Sequence, residues 1–297
     1  GGTQLVVEGG GQLNAAAVFE NDGVVRLLGD WTNNSGGLGF NSTSTGSVSL
    51  HNPLPQLVQG TATTDFRNLV ISGGTKTLLR NAQCGTAAQP DGSLILNSGT
   101  ILLNTRTLSL YNPASVALTD AGGSLRSETT DLLSRFQWAL GSDVSEHRIP
   151  FTDGSNNVLP FAFTPSAAFP ANTLLSVATY HTAADNTIYP VTANQQVLHM
   201  AGVAIADNSP NTVDRFWLVD LPNGALTGTL HLSYSSLDDP SFGPGLVRAQ
   251  RWLESGGTWQ APLPVQTQPF RREVVVPNVG FTGATAPTNE HNWAMAY

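Results

Sequence analysis

The amino-acid sequence predicts an all-β chain: an N-terminal β-solenoid or stacked β-sandwich region followed by a C-terminal antiparallel β-sandwich. Three observations carry that expectation. Short β-prone runs recur along the chain, each bounded by Gly, Asn, Ser or Pro. Charged residues make up only 11% of the 297 residues, against roughly 25% in ordinary soluble domains. Gly (30) and Pro (18) punctuate the chain throughout, and "SETTDLLSRFQWALGSD" is the one stretch with passable helical character.

The N-terminal runs are residues 4–8, 23–28, 47–50, 66–71, 76–79, 93–96, 100–103 and 107–110. The most regular stretch is "GSLILNSGTILLNTRTLSLYNP", where segments open at residues 93, 100 and 107 and the pairs Leu94/Leu96, Ile101/Leu103 and Leu108/Leu110 each face one way. Short strands of this kind bury an apolar face only against the next layer, which is the logic of a solenoid or a flat stack. The sevenfold spacing would also suit a coiled coil, but Asn97, Gly99 and Asn104 oppose a helix. This region is assigned to residues 1–125.

Residues 126–297 form the expected sandwich domain. It opens on a boundary segment, 126–140, read as one helical turn followed by a strand. Eight longer β runs follow, at 158–164, 173–180, 197–205, 215–220, 228–234, 247–253, 272–276 and 291–297. In "TGTLHLSYSS", Leu230, Leu232 and Tyr234 share one face, which leaves Thr229, His231 and Ser233 on the other.

Composition also excludes functions. A formal net charge of −8 disfavours nucleic acid, whose binding depends on Lys and Arg displacing counterions. Cys84 is the only cysteine, so the chain has no internal disulfide and no zinc site built from several thiolates. With no helix signal or basic neighbourhood beside it, Cys84 reads as a small, half-buried residue rather than a reactive thiol or an intermolecular bridge. No stretch of 18 apolar residues is present to span a bilayer as a helix. The first residue, Gly1, and the β composition together suggest a mature, exported chain, hence a secreted, extracellular or cell-surface location.

The stretches "GDWTNNSGGLGF", "GSVSLHNPLPQLVQG", "FRNLVISGG", "GSLILNSGTILLNTRTLSLYNP", "VDRFWLVDL", "GTLHLSYSSLDD", "VRAQRWLESGGTWQ" and "NWAMAY" resemble, in that order, segments of large secreted surface proteins of the Bacteroidetes. The resemblance implies a Gly/Asn/Thr-rich β-repeat region before a β-sandwich module, type IX secretion, and a stalk, adhesin or surface-layer role. Members usually continue past the strand like "NWAMAY" into further modules and a C-terminal sorting domain. This sequence stops at Tyr297, so either that tail is removed or the chain is a short, self-sufficient subunit.

No catalytic constellation stands out. There is no Gly-x-Ser-x-Gly elbow, and the His residues at 51, 147, 181, 199, 231 and 291 are scattered. A polysaccharide-cleaving enzyme would need paired acids, for which Asp207, Asp214, Asp220, Asp238 and Asp239 are the candidates. Trp31, Trp138, Trp217, Trp252, Trp259 and Trp293 could supply sugar-stacking platforms, although Trp252 and Trp259 flank a Gly-Gly turn and read more simply as a cross-strand pair. No metal ladder of the Asp-x-Asp-x-Asp-Gly type and no cofactor motif appears.

The leading expectation is therefore a non-enzymatic structural subunit that assembles with copies of itself into a fibre or layer, with surface glycans as the second class of partner. The assembly candidates are Gln4, Leu5, Val6 and Val7 on the first strand, and Trp293, Met295 and Tyr297 on the last. Asp214-Arg215-Phe216-Trp217 is read as a structural fastener. On a strand, Asp214 and Phe216 face one way and Arg215 and Trp217 the other, so Arg215 would stack on an aromatic ring or pair with an acid of a neighbouring strand.

Overall fold

The computed structural model describes residues 4–14, 17–35, 44–129, 131–186, 197, 200, 208–220, 225–241, 246–253, 258–282 and 291–296. The chain divides into two compact units, Gly1–Asp143 with Pro170–Asn172, and Val144–Phe169 with Thr173–Tyr297.

The first unit is a β-solenoid of about six turns. Its first two turns supply β1 (Gln4–Val7), β2 (Gly11–Leu13), β3 (Val24–Leu27) and β4 (Trp31–Asn33). The third supplies β5 (Ser47–Leu50), β6 (Gln56–Gly60) and β7 (Thr64–Phe66), and the fourth β8 (Asn68–Ile71), β9 (Lys76–Leu78) and β10 (Ala82–Cys84). The fifth holds β11 (Ser93–Leu96), β12 (Gly99–Leu102) and β13 (Thr107–Leu110), and the sixth β14 (Leu118–Asp120), β15 (Gly123–Arg126) and β16 (Arg135–Leu140). Strands of successive turns pair in parallel to build three faces: β1-β3-β5-β8-β11-β14, β2-β4-β6-β9-β12-β15 and β7-β10-β13-β16.

This geometry explains the sevenfold spacing. β11, β12 and β13 lie on three different faces, so seven residues is the step from face to face. The true repeat is one full turn: 24 residues separate the stacked hydroxyls of Thr100 and Ser124, and 25 separate Asn68 from Ser93. The solenoid also runs past residue 125, because β16 stacks on β13 from Thr107↔Arg135 to Leu110↔Trp138. The helical turn expected within 126–140 is absent among the described residues. Arg126 closes β15, and Leu132 turns the chain with a φ of 56°.

In-register stacking forms columns of like side chains. On the first face Val25, Val48, Leu69 and Leu94 make one inward column, and Leu27, Leu50, Ile71 and Leu96 the next, all buried. Each such aliphatic side chain contributes about 1.5–3 kcal/mol by leaving water. On the third face Phe66, Cys84, Leu110 and Trp138 stack. Burial pushes the Cys84 thiol up to about 12, so it stays protonated and unreactive. The Asn-rich corners serve the carbonyls that each turn leaves over. Asn68 Nδ2 donates to Thr45 O and Gly46 O, Asn104 Nδ2 to Leu78 O, and Asn52 Nδ2 to Leu28 O.

The second unit is a two-sheet sandwich. One sheet orders β17 (His147–Thr152), β18 (Val158–Pro165), β21 (Ala225–Ser233) and β24 (Glu273–Thr282) as β17-β18-β21-β24. The other orders β19 (Thr173–His181), β20 (Thr212–Asp220), β25 (His291–Ala296), β22 (Arg248–Leu253) and β23 (Thr258–Trp259) as β19-β20-β25-β22-β23. These pairs are antiparallel. Across the second sheet, Thr179, Trp217, Trp293 and Arg251 share one face, and Tyr180, Phe216, Ala294 and Gln250 the other. The first set looks into the sandwich. Trp217 packs on Phe151 and Phe161 with ring centroids 5.7 and 5.6 Å away, and its indole donates to Ser233 O at 3.0 Å.

Leu230, Leu232 and Tyr234 are buried while Thr229 and His231 are half-buried, in line with the alternation read from the sequence; Ser233, expected on the same outer face, is buried, because its hydroxyl donates to Pro160 O at 2.7 Å on the neighbouring strand. Trp252 and Trp259 pair directly across β22 and β23, edge to face at 5.5 Å, and pack with Val197, Met200, Ala294 and Ala296. The run expected at 197–205 lies outside the described residues except for Val197 and Met200.

Candidate functional site

Two places stand out from the packed background: the first edge of the solenoid and a buried ionic cluster in the sandwich. At the solenoid edge, β1 pairs with β3 from Gln4↔Val24 to Val7↔Leu27, and among the described residues nothing pairs with its other side. Leu5 stands in register with Val25, and so continues the inward column of Val25, Val48, Leu69 and Leu94. Those four are 6% exposed or less, yet Leu5 is 53% exposed. Val6, on the outward row with Arg26, is 50% exposed. Among the described residues, the inward column is thus left uncovered at β1, beside backbone N–H and C=O groups that pair with no second strand.

The other end of the chain differs. Trp293 and Met295, expected to offer a counterpart edge, sit in β25, which is paired on both sides by β20 and β22, and they are 1% and 0% exposed. Both edges of that strand are satisfied within the chain, so it offers no ladder to a neighbour; Tyr297 lies outside the described residues.

The ionic cluster is built on Asp214-Arg215-Phe216-Trp217. Arg215 is fully buried and meets the equally buried Asp238 through Nε to Oδ2 at 2.9 Å and Nη2 to Oδ1 at 3.2 Å, while Nη1 donates to Thr179 Oγ1 at 3.2 Å. Asp238 closes a single 3-10 turn, Ser236–Asp238, just after β21. Its Oδ2 also accepts from Ser235 N and Ser235 Oγ, and its Oδ1 from His181 Nδ1 at 2.9 Å. The pair thus links β20 of one sheet to the turn that follows a strand of the other. Phe216 points the opposite way and stacks on Tyr180 at 5.4 Å.

The remaining candidate acids do not converge. Asp207 lies outside the described residues, Asp220 is half-buried opposite Ser176, and Asp239 pairs with Arg272 at 2.5 Å and Arg271 at 3.8 Å. His231 stands between Glu273 at 3.1 Å and Glu146 at 4.0 Å on the surface of the sandwich. No group of three or more His, Cys, Asp or Glu among the described residues is placed to hold a metal ion. All six tryptophans are buried, from 0% exposed at Trp138 and Trp217 to 6% at Trp259. None of the six tryptophans therefore presents an exposed face for stacking on a sugar.

Sequence reasoning missed two buried titratable groups in the solenoid. Lys76 is fully buried, and its ammonium donates to Asn52 O at 2.6 Å; burial draws its pKa down to about 8. Its alternation with inward Leu78 was the available signal. Asp65 is 7% exposed on β7, and burial, opposed by a hydrogen bond from Gln83, raises it to about 6. In the sandwich Asp214 is also raised to about 6, by burial first, then by Asp238 and Asp185, against the opposing pull of His181.

Both carboxyls bind a proton more tightly when folded than in the unfolded chain, whose Asp value is 3.8. Their contribution is fully present below about 3.8 and lost as pH rises through about 6. Thermal stability is therefore expected to rise between pH 7 and pH 5. Asp65→Asn is expected to stabilise the solenoid at pH 7 and flatten its pH dependence, as read by melting curves across that range. An unchanged slope in Asp65→Asn would refute the assignment.

In comparisons with protein-family models, with curated proteins and with solved structures, nothing matches this chain.

Proposed function

We propose that the chain is an extracellular structural protein that assembles through a strand edge, with β1 of the solenoid as the contact. The observation that carries this reading is Leu5, a core-column residue left 53% exposed on a strand that has one neighbour among the described residues. Sparse charge supports it, because two such surfaces can meet with few ionic groups to desolvate. Export to a cell surface, and a stalk or layer role like that of the Bacteroidetes surface proteins, rest on composition and on the resemblance of the quoted stretches.

Leu5→Lys places a cation where an aliphatic side chain would be covered. Sedimentation velocity over a range of concentrations is expected to show association of the wild-type chain, weakened about tenfold or more in Leu5→Lys, since burying one leucine is worth about 1.5–3 kcal/mol. The circular dichroism spectrum should be unchanged, because Leu5 is already 53% exposed in the single chain. A wild-type chain that stays monomeric at every concentration overturns the proposal.

A further inference from the structure

We propose that the corner between the second and third faces of the solenoid binds the acid groups of an anionic polysaccharide, through Arg80 on the fourth turn and Arg106 on the fifth. The site is separate from β1, and neither its chemistry nor its test depends on assembly.

The two arginines are stacked neighbours. Asn104 Nδ2 donates to Leu78 O, Thr107 N donates to Asn81 Oδ1, and Ala82 pairs with Leu108, each across the same spacing of 26 residues. Arg80 and Arg106 fall between these contacts at that spacing, so one backbone lies over the other, about 4.8 Å away along the stack. Two guanidinium groups so placed repel each other unless a negative charge joins them. The chain supplies none. Arg80 is exposed and donates through Nε to Gly60 O at 2.7 Å, and among the described residues neither arginine meets a carboxylate. The sixth turn carries acids of its own at this corner, Glu128 and Asp131, along with Arg126 and Arg135. The surplus of positive charge is therefore confined to the fourth and fifth turns.

The side-chain groups left over here are donors. Arg106 Nε is withdrawn from water and has no acceptor, and Asn81, exposed beside Arg80, has its Oδ1 engaged by Thr107 N while its amide nitrogen is unengaged. An oxyanion is what such a set lacks, since it accepts along the Nε–Nη2 edge of one guanidinium and from the Nη groups of the other. The backbone adds to this. Asn104 and Thr105, immediately before Arg106, have φ of 49° and 65°, whereas the equivalent corner at 79–81 has no positive φ. A left-handed pair that includes a β-branched residue costs energy, and that cost is spent where it sets Arg106 over Arg80. A polysaccharide bearing carboxylates or sulfates suits the chain better than nucleic acid, because a net charge of −8 repels the dense phosphate backbone more than a sparser line of acid groups.

Equilibrium binding of the full chain to labelled polygalacturonate and dextran sulfate tests this, with uncharged dextran and a single-stranded DNA oligonucleotide as comparisons. At least one acidic glycan is expected to bind and dextran is not, with affinity falling as salt rises. The double variant Arg80→Gln/Arg106→Gln is expected to weaken binding about tenfold or more, the scale of one lost charge-assisted hydrogen bond. Arg106→Lys should weaken it to a lesser degree, because it keeps the charge and loses the planar fork. Arg271→Gln removes an arginine that is 60% exposed on the other unit, and should leave binding unchanged. Melting curves should show the double variant at least as stable as the wild type, since a repulsion is removed. A marked loss of stability would give the two arginines a packing role and overturn the proposal. So would an equal loss of binding in Arg271→Gln, DNA held as tightly as the acidic glycans, or no binding of either glycan.

Discussion

Replacing Arg215 with alanine is expected to destabilise the sandwich unit by about 3–5 kcal/mol, the usual effect of removing one member of a buried ion pair. The cause is less the loss of attraction than the carboxylate left behind. Asp238 is fully buried, and Arg215 gives it two of its hydrogen bonds, at 2.9 and 3.2 Å. Without the guanidinium, the donors left to it are Ser235 and His181, neither of which carries the fixed positive charge that the guanidinium supplies. Urea denaturation followed by tryptophan fluorescence would measure the change, since Trp217 is two residues away on β20. Arg272→Ala is the comparison, because its Asp239 partner is half-exposed and such pairs contribute about 0–1 kcal/mol. Equal effects from the two variants would refute the role of Arg215 as the tie between the sheets.

The second large effect is expected at a solenoid corner. Gly99 has a φ of +78°, and a Cβ there would stand 1.8 Å from Gly73 O and 2.5 Å from Gly74 O, the corner of the preceding turn. Gly99→Val therefore combines a left-handed backbone that a β-branched residue resists with a clash against backbone atoms that cannot swing aside. Together these amount to about 2–5 kcal/mol. Gly9→Ala, where nothing lies within 4 Å of the added atom, should be nearly neutral in the same thermal melts. If the two substitutions matched, the close stacking of corners would not be what holds successive turns in register.

The strands that the sequence reveals are those that carry their own apolar alternation, such as 24–27, 93–96 and 228–233, where aliphatic residues recur between turn formers. The short ones escape notice. Gly11-Gln12-Leu13 and Ala82-Gln83-Cys84 contain no β-branched or aromatic residue, and they are strands only because a turn lies against them. For the same reason 66–71 reads as one run, although it bends at Arg67 between two faces. The partner of Arg215 was legible as a type but not as a position. Asp238 lies 23 residues away, and only its spacing from Ser235, the signature of a capped turn, hinted that it is fixed in place. The C-terminal strand shows the limit most plainly. Its composition announces a strand but says nothing of how many neighbours it has, and two neighbours turned an expected free edge into the middle of a sheet.

The backbone hydrogen bonds between solenoid turns run along the direction in which the turns stack. Tension applied in that direction loads these ladders one after another, so the weakest turn yields while the others hold. Each release frees a loop of about 24 residues, on the order of 80 Å of extended chain, before the next turn is engaged. Under a pull, such a solenoid would lengthen in discrete steps and dissipate the work at each one, behaving as a shock absorber rather than a rigid rod.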